Sequence, residues 1–359
     1  MRQRIFEGTK LVLDAGVLTL GSRRWGLEHG LETSGSCMLK QPDLTTVARP
    51  HPDPIVVRGH AKLNLSLAVL ARRADGFHEI ESLIVPVTLH DTLRVQVSEM
   101  PGIRLRVRFG GRLAMAVGAA LAHDVPTDAT NLVVRAVQAL AVEAGLAESL
   151  ESPCAPGLDI DLVKRIPSGS GLGGGSSDAA AALVAAAQAW GIECPRDQLA
   201  AIGAMIGSDV PVFFAGGAAI VGGRGECVEP AAGIPPLHAV IARPAVGLST
   251  AAVYARCMPD ASRRGEAGQL AAALAAGRFR GAIKFMHNSL EQPAREMCPE
   301  VVRLLEDFYR NGAPHPLLTG SGSACFALMR SAIEARRLAA RLEMAGWPGV
   351  FSVQLRGGA

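Results

Sequence analysis

Hydrophobic and polar positions fall into register from Ile55 onward. Within IVVRGHAKLNLSLAVLARR they alternate over AKLNLSLAV, with Leu63, Leu65 and Leu67 on one face and Lys62, Asn64 and Ser66 on the other. A period of two predicts a strand. Asp75-Gly76 marks a turn, and FHEIESLIVPVTLHDTLRVQV supplies further strand. IRLRVRF (103–109) alternates too, with Arg104, Arg106 and Arg108 on one face. That row reads as an anion-binding face or, more simply, as a wet edge strand guarded by charge.

Helical spacing takes over after Thr130 and Asn131, which can cap a helix carrying Val133, Ala136, Val137 and Leu140 and stopped by Gly145. LDIDLVKRIP (158–167) is a strand, a helix follows from about Ser176 to Trp190, and another spans 196–206. SDVPVFFAGGAAIVGG reads as a short loop and strands. The pattern restarts near 230: strand in PLHAVIARP, helices over 263–276, 280–292 and 298–310, strand–turn–strand in PLLTGSGSACFALMR, a helix over 332–345, and a final strand VFSVQL. Strands and helices mixed without regular βαβ alternation predict an α+β protein of two domains, 55–229 and 230–359. Residues 1 to 54 read as a loosely ordered extension that enters the folded part through HPDP (51–54).

Composition narrows the function classes. The chain has 359 residues, 49% hydrophobic and 19% charged, enough to bury a substantial core. A net charge of +3 is too mild for nucleic acid but suits anionic small molecules. Lysine is scarce, at 10, 40, 62, 164 and 284 only, so each ammonium invites a question. The seven cysteines are scattered with no CxxC pair, which speaks against zinc and for reduced thiols in a cytoplasmic protein. No run of about eighteen uncharged apolar residues predicts a membrane span. The acids Glu7, Asp14, Glu28 and Glu32 make the N-terminal stretch a poor signal or transit peptide.

The most informative stretch is PSGSGLGGGSSDAAAAL (167–183), with glycines at 169, 171, 173, 174 and 175. Strand, glycine-rich loop and helix N-terminus together hold phosphates: the loop turns backbone N–H groups into one concavity, and the first helical turn adds unpaired N–H groups and partial positive charge. Ser176, Ser177 and Asp178 can cap that end, and Ser177 can also reach a magnesium ion. Three loop types compete with a bland glycine linker. A P-loop needs a Gly-Lys pair, which this chain lacks. GxGxxG fits Gly169, Gly171 and Gly174, with Glu193 as the distant acid, but WGIECP does not make the strand that fingerprint requires.

The third type is a family pattern. Pro167 through Ser177 resembles the ATP loop of the GHMP kinases, the galactose, homoserine, mevalonate and phosphomevalonate kinases. AKLNLSL (61–67) with RADGFHEIES (73–82), and GSDVPVFF (207–214), are similar to the members of that family acting on a cytidine-linked erythritol, and LTGSGSACFAL (318–328) is similar to the family's third glycine motif. The resemblance covers about 55 to 359. It implies the two-domain GHMP kinase fold, with ATP and substrate in the cleft between domains, and transfer of the γ-phosphoryl of ATP to an alcohol. It assigns ATP binding to Pro167, Ser168, Gly169, Ser170, Gly171, Leu172, Gly173, Gly174, Gly175, Ser176 and Ser177, with Lys164 and Asn131 facing the adenosine part. It gives Asp209 the hydroxyl proton, puts Lys62 beside it, and gives substrate contacts to Asn64, Phe77 and His78. Phe77 stands where the family usually has Tyr, and Asp178 where some members have Asn, here read as a cap. Gly320 and Gly322 are expected to pack on the ATP loop, a simple hairpin turn being the alternative, with Arg243–Thr250 and Asn288 in the wall between domains. Mg2+ accompanies ATP, the partner is a small molecule rather than nucleic acid or membrane, and the enzyme is a monomer or homodimer. A GHMP kinase for a sugar, homoserine or mevalonate, or a non-catalytic ATP- and sugar-binding relative, stays open.

Overall fold

A computed structural model describes residues 10–13, 16–19, 50–111, 113 and 125–358. The loose extension expected over 1–54 lies almost wholly outside the described residues. Within it, β1 (Lys10–Leu13) pairs antiparallel with β2 (Gly16–Thr19).

The alternating segment from Ile55 becomes one long hairpin of β3 (Ile55–Arg72) and β4 (His78–Ser98). Its turn is the Asp75-Gly76 pair: Gly76 has φ of 82°, and the Asp75 carboxylate accepts from the Phe77 N–H. β3 covers one edge of β4. The other edge is shared by β6 (Gly157–Lys164), which pairs with Thr92–Ser98, and β7 (Ala219–Gly223), which pairs with Ile80–Ile84. β5 (Ile103–Phe109) joins β6 in parallel and β8 (Cys227–Pro230) joins β7, making six strands. β5 is the outer strand, and its arginines meet acids on β6: Arg104 with Asp159 at 2.8 Å, Arg106 with Asp161 at 2.9 Å. The arginine row is therefore a charge-guarded edge and not an anion-binding face.

Helices α1 (Leu132–Glu143), α2 (Gly174–Trp190) and α3 (Arg196–Ile206) cover this sheet. α2 is almost entirely buried, which its alanines allow: β3 passes so close that a Cβ on Gly59 would lie 2.9 Å from Asp178 Oδ1. Gly191, at φ 69°, ends it.

The C-terminal strands form a second, four-stranded antiparallel sheet. β9 (His238–Arg243) lies between β11 (Cys325–Met329) and β12 (Gly349–Gln354), and β10 (Leu317–Leu318) pairs with β11. It is covered by α4 (Thr250–Ala255), α5 (Glu266–Ala275), α6 (Glu291–Met297), α7 (Pro299–Arg310) and α8 (Ala332–Met344).

The helix expected over 280–292 does not form. A helical turn at Phe279–Ala282 and a 3-10 turn at Ile283–Phe285 give way to irregular chain, in which Leu67 N–H donates to the His287 carbonyl and Ser289 N–H donates to the Leu67 carbonyl. Asn288 uses its amide to donate to the carbonyls of Leu318 and Gly320. These long-range bonds replace the local helical ones, a competition no local periodicity reveals.

Candidate active site

β3 begins the site. Its polar face carries Lys62, Asn64 and Ser66, all buried. Lys62 Nζ donates to Asn64 Oδ1 and lies 3.8 Å from Asp209 Oδ2. Burial pulls the Lys62 pKa below its ordinary value, and the Asp209 carboxylate opposes that pull. The Asp209 side chain is 41% exposed, so its carboxylate is open to an incoming group. Asn64 is held hard: its amide donates to Ser82 Oγ at 2.8 Å, and its backbone N–H donates to Thr319 Oγ1 at 3.1 Å.

The glycine loop lies against this strand. Lys62 N–H donates to the Leu172 carbonyl at 3.0 Å. The loop needs left-handed backbone at Gly169, Gly171 and Gly173 (φ 60°, 77° and 70°), which supplies a reason for three of its glycines. α2 starts at Gly174 with Gly173 as N-cap and no side chain capping it. The expected cap by Ser176, Ser177 or Asp178 is absent. Ser177 Oγ donates back to the Gly174 carbonyl, and Asp178 Oδ2 accepts from Lys164 Nζ at 2.6 Å. The N–H groups that open α2 are thus left without a side-chain partner at residues that line the cavity.

That cavity is a cleft of about 560 Å3. Lys62, Asn64, Asn131, Lys164, Pro167 through Ser176 and Asp209 all line it. Gly320, Ser321 and Gly322 close it from the C-terminal sheet. Gly320 sits so tightly that a Cβ would stand 2.9 Å from the Gly171 carbonyl, and a Cβ on Gly171 would collide with the carbonyl of Thr319. Ala324 N–H donates to the Ser170 carbonyl. The third glycine motif is therefore docked on the first, more than a free hairpin turn. Arg243 braces the loop from behind. It is buried among carbonyls, donating to Pro244, Ala245 and Ser168, and burial brings its pKa down to about 10.

Several expected roles change. Ser177 does not line the cleft, because its hydroxyl is turned into α2; the magnesium contact expected of it has no geometric support. Phe77 and His78 do not line it either. Phe77 is exposed under the Arg224 guanidinium, 4.9 Å from the ring centroid. His78 packs on Tyr254 with ring centroids 5.2 Å apart, and Tyr254 does line the cleft. Burial, then the nearby Asp209, pushes the Tyr254 hydroxyl pKa up. Tyr254 escaped the sequence reading because it sits in a short helix, STAAVYA, with no motif around it; its one signal is scarcity, as one of two tyrosines. Asn131 lines the cleft but is occupied, capping α1 through Val133 N–H and donating to the Pro126 carbonyl.

Lys164 is the largest change. Its ammonium bridges two buried carboxylates, Asp91 and Asp178. Burial works against its charge, yet Asp178 and Asp91 outweigh that and raise its pKa. Asp178 is pushed well above the usual carboxylate range by burial, against the pull of Lys164. Asp91 also accepts from the N–H groups of Arg165 and Ile166, the residues that carry β6 into the loop. The trio fixes where loop and helix start. Among the described residues, no cluster of three or more His, Cys, Asp or Glu is placed to hold a metal, and no helix is long and apolar enough to cross a membrane.

Comparison with known proteins decides the family. The model of the GHMP kinases N terminal domain matches residues 131–217, and that of the GHMP kinases C terminal domain matches 270–346. The 4-diphosphocytidyl-2-C-methyl-D-erythritol kinase of Rhodopirellula baltica is 39% identical over 80% of this chain and 91% of its own length. That of Shouchella clausii is 34% identical over 79% of this chain and 88% of its own. The chain belongs to the 4-diphosphocytidyl-2-C-methyl-D-erythritol kinase family of GHMP kinases.

A solved 4-(cytidine 5'-diphospho)-2C-methyl-D-erythritol kinase, 33% identical, superposes with a TM-score of 0.65 over 85% of this chain and 100% of that one. A homoserine kinase from Cytophaga hutchinsonii, 20% identical with a TM-score of 0.65 over 88% of this chain and 98% of that one, shares the fold. This GHMP kinase is a small-molecule kinase with the α+β fold expected from its sequence.

Proposed function

We propose that the protein transfers the γ-phosphoryl group of ATP to a hydroxyl of 4-diphosphocytidyl-2-C-methyl-D-erythritol, giving the 2-phosphate and ADP, in non-mevalonate isoprenoid precursor biosynthesis. One observation carries this reading. The uncapped N-terminus of α2 and the Lys62–Asp209 pair face a single cleft. The first suits phosphates and the second suits the hydroxyl that attacks them.

The triphosphate lies along Pro167–Ser176, its charge met by the first N–H groups of α2. The substrate hydroxyl approaches beside Asp209. Its proton passes to Oδ2, its oxygen forms a bond to the γ-phosphorus, and the bond to the β-bridging oxygen breaks, releasing ADP. Lys62 neutralises charge on the forming ester, while Asn64 holds the ammonium in place. Tyr254, backed by His78, offers an aromatic face for the cytosine.

Magnesium fits this site as a passenger on the phosphates. The cleft gives it one open carboxylate, Asp209, and no cage, so phosphate oxygens and water would complete its shell. When bound it would supply positive charge to the transferring phosphate. We also place the catalytic unit in two domains, 55–229 and 230–359, acting in the cytoplasm as a monomer or homodimer on a small molecule rather than on nucleic acid.

The test is ADP release by the purified protein with this substrate, homoserine, mevalonate and galactose in parallel. ADP release confined to the cytidine-bearing alcohol supports the reading. Equal release with another alcohol, or ATP binding without transfer to any of them, overturns it.

A further inference from the structure

A second cavity, about 590 Å3, lies in the C-terminal sheet's outer layer, lined by none of the residues of the cleft. Its floor is apolar, made by Leu274, Met286, Leu328 and Leu338. Its rim is cationic: Arg280, Arg330, Arg337 and Arg341 line it, against a single acid, Glu334. Arg337 and Arg341 stand one turn apart on α8, so both guanidinium groups are on the same face. Arg330 is spent in part on Glu334 at 3.8 Å, and Arg341 donates to the Asn311 carbonyl. Among the described residues, Arg280 and Arg337 enter no ion pair.

One wall residue is conformationally unusual. His315 has φ of 47°, the only non-glycine residue with positive φ among those described. It is fixed there by a hydrogen bond between Nε2 and the Met286 carbonyl, 2.8 Å, across the cavity wall. Left-handed backbone at a residue with a side chain persists where the surroundings enforce it. The chain from His315 runs through β10 to Thr319, and Met329 at the cavity is the far end of β11, which starts beside the docked glycine turn. The cavity and the cleft therefore sit at opposite ends of one pair of strands.

We propose that this cavity binds an amphipathic phosphate: a short hydrocarbon chain ending in a phosphate or diphosphate. An apolar floor under several guanidinium groups is the chemistry that such a molecule satisfies at both ends. The hydrocarbon leaves water on Leu274, Met286, Leu328 and Leu338, and the phosphate takes forked N–H donors from Arg337 and Arg280. An inorganic anion would use the rim only, and a neutral lipid the floor only.

Calorimetric titration of the full-length protein tests this with three probes: n-octyl phosphate below its micelle concentration, inorganic phosphate and n-octanol. Octyl phosphate is expected to bind at one site at least about tenfold tighter than either half-molecule, because several methylenes are buried together with the charge. Saturating ATP should leave that affinity unchanged. The exposed pair Arg337→Glu with Arg341→Glu should weaken it at least about tenfold, and Ile283→Asp on the apolar wall should do the same, each with an unaltered circular dichroism spectrum and unaltered ATP binding. Octyl phosphate no tighter than inorganic phosphate, displacement by ATP, or full affinity in both variants overturns the proposal.

Discussion

The Lys62 ammonium stands 3.8 Å from the Asp209 carboxylate, and the two residues live in opposite environments. Lys62 is buried under the glycine loop, whereas Asp209 opens to the cleft. The pair therefore places a poorly solvated cation behind an accessible base, which is the polarity that phosphoryl transfer to an alcohol needs.

The Lys62 proton should report this directly. Only five lysines exist, so Cε-labelled lysine gives a resolvable NMR spectrum. The Lys62 signal is expected to titrate below the ordinary lysine value of 10.5. In Asp209→Asn it should titrate lower still, because the opposing carboxylate charge is gone. The sign for stability follows: between the lowered folded pKa and 10.5 the unfolded chain binds the extra proton, so this group's contribution to stability rises with pH across that window.

Replacing Lys62 should separate activity from stability. Lys62→Met removes a buried charge whose desolvation is incompletely repaid, while Asp209 remains hydrated. Urea unfolding should show stability unchanged or higher, and kcat should fall by about two decades. A large loss of stability would mean that the ammonium is chiefly structural.

Lys164 should behave in the opposite way. Lys164→Met strands Asp91 and Asp178 in the protein interior without their cation. A loss of about 3–5 kcal/mol is expected in denaturant unfolding, with ATP affinity falling as the loop loses its footing. Adding Asp178→Leu should return part of that stability, since one of the two orphaned carboxylates is then gone.

Two glycines with the same backbone sign should differ in effect. Gly171→Ala meets the Thr319 carbonyl and the Gly322 N at 3.0 Å, at φ 77°, whereas Gly145→Ala at φ 70° meets nothing within 4 Å. The first should cost about 2–3 kcal/mol and most of the activity, the second about 1 kcal/mol and none of it. Thermal unfolding and turnover measure both.

Much of the frame was legible in sequence because it rests on local signals. The alternation of Lys62, Asn64 and Ser66 placed a polar face on an apolar strand, and the run of glycines before alanines placed a phosphate loop. What was not legible depends on distant partners. Ser177 and Asp178 have cap chemistry, but Asp178 is claimed by Lys164, and Ser177 turns into its own helix. The helix expected at 280–292 is lost to bonds between 287–289 and Leu67. Tyr254 reaches the cleft only because α4 packs beside Asp209's loop, a proximity the motifs do not encode.

The central claim is that Asp209 takes the proton of the attacking hydroxyl, and single-turnover transfer by Asp209→Asn, at saturating ATP and 4-diphosphocytidyl-2-C-methyl-D-erythritol, tests it most directly. The transfer rate should drop by about two decades or more while ATP affinity stays within about twofold of the unaltered protein. Transfer at the unaltered rate in that variant would contradict the claim.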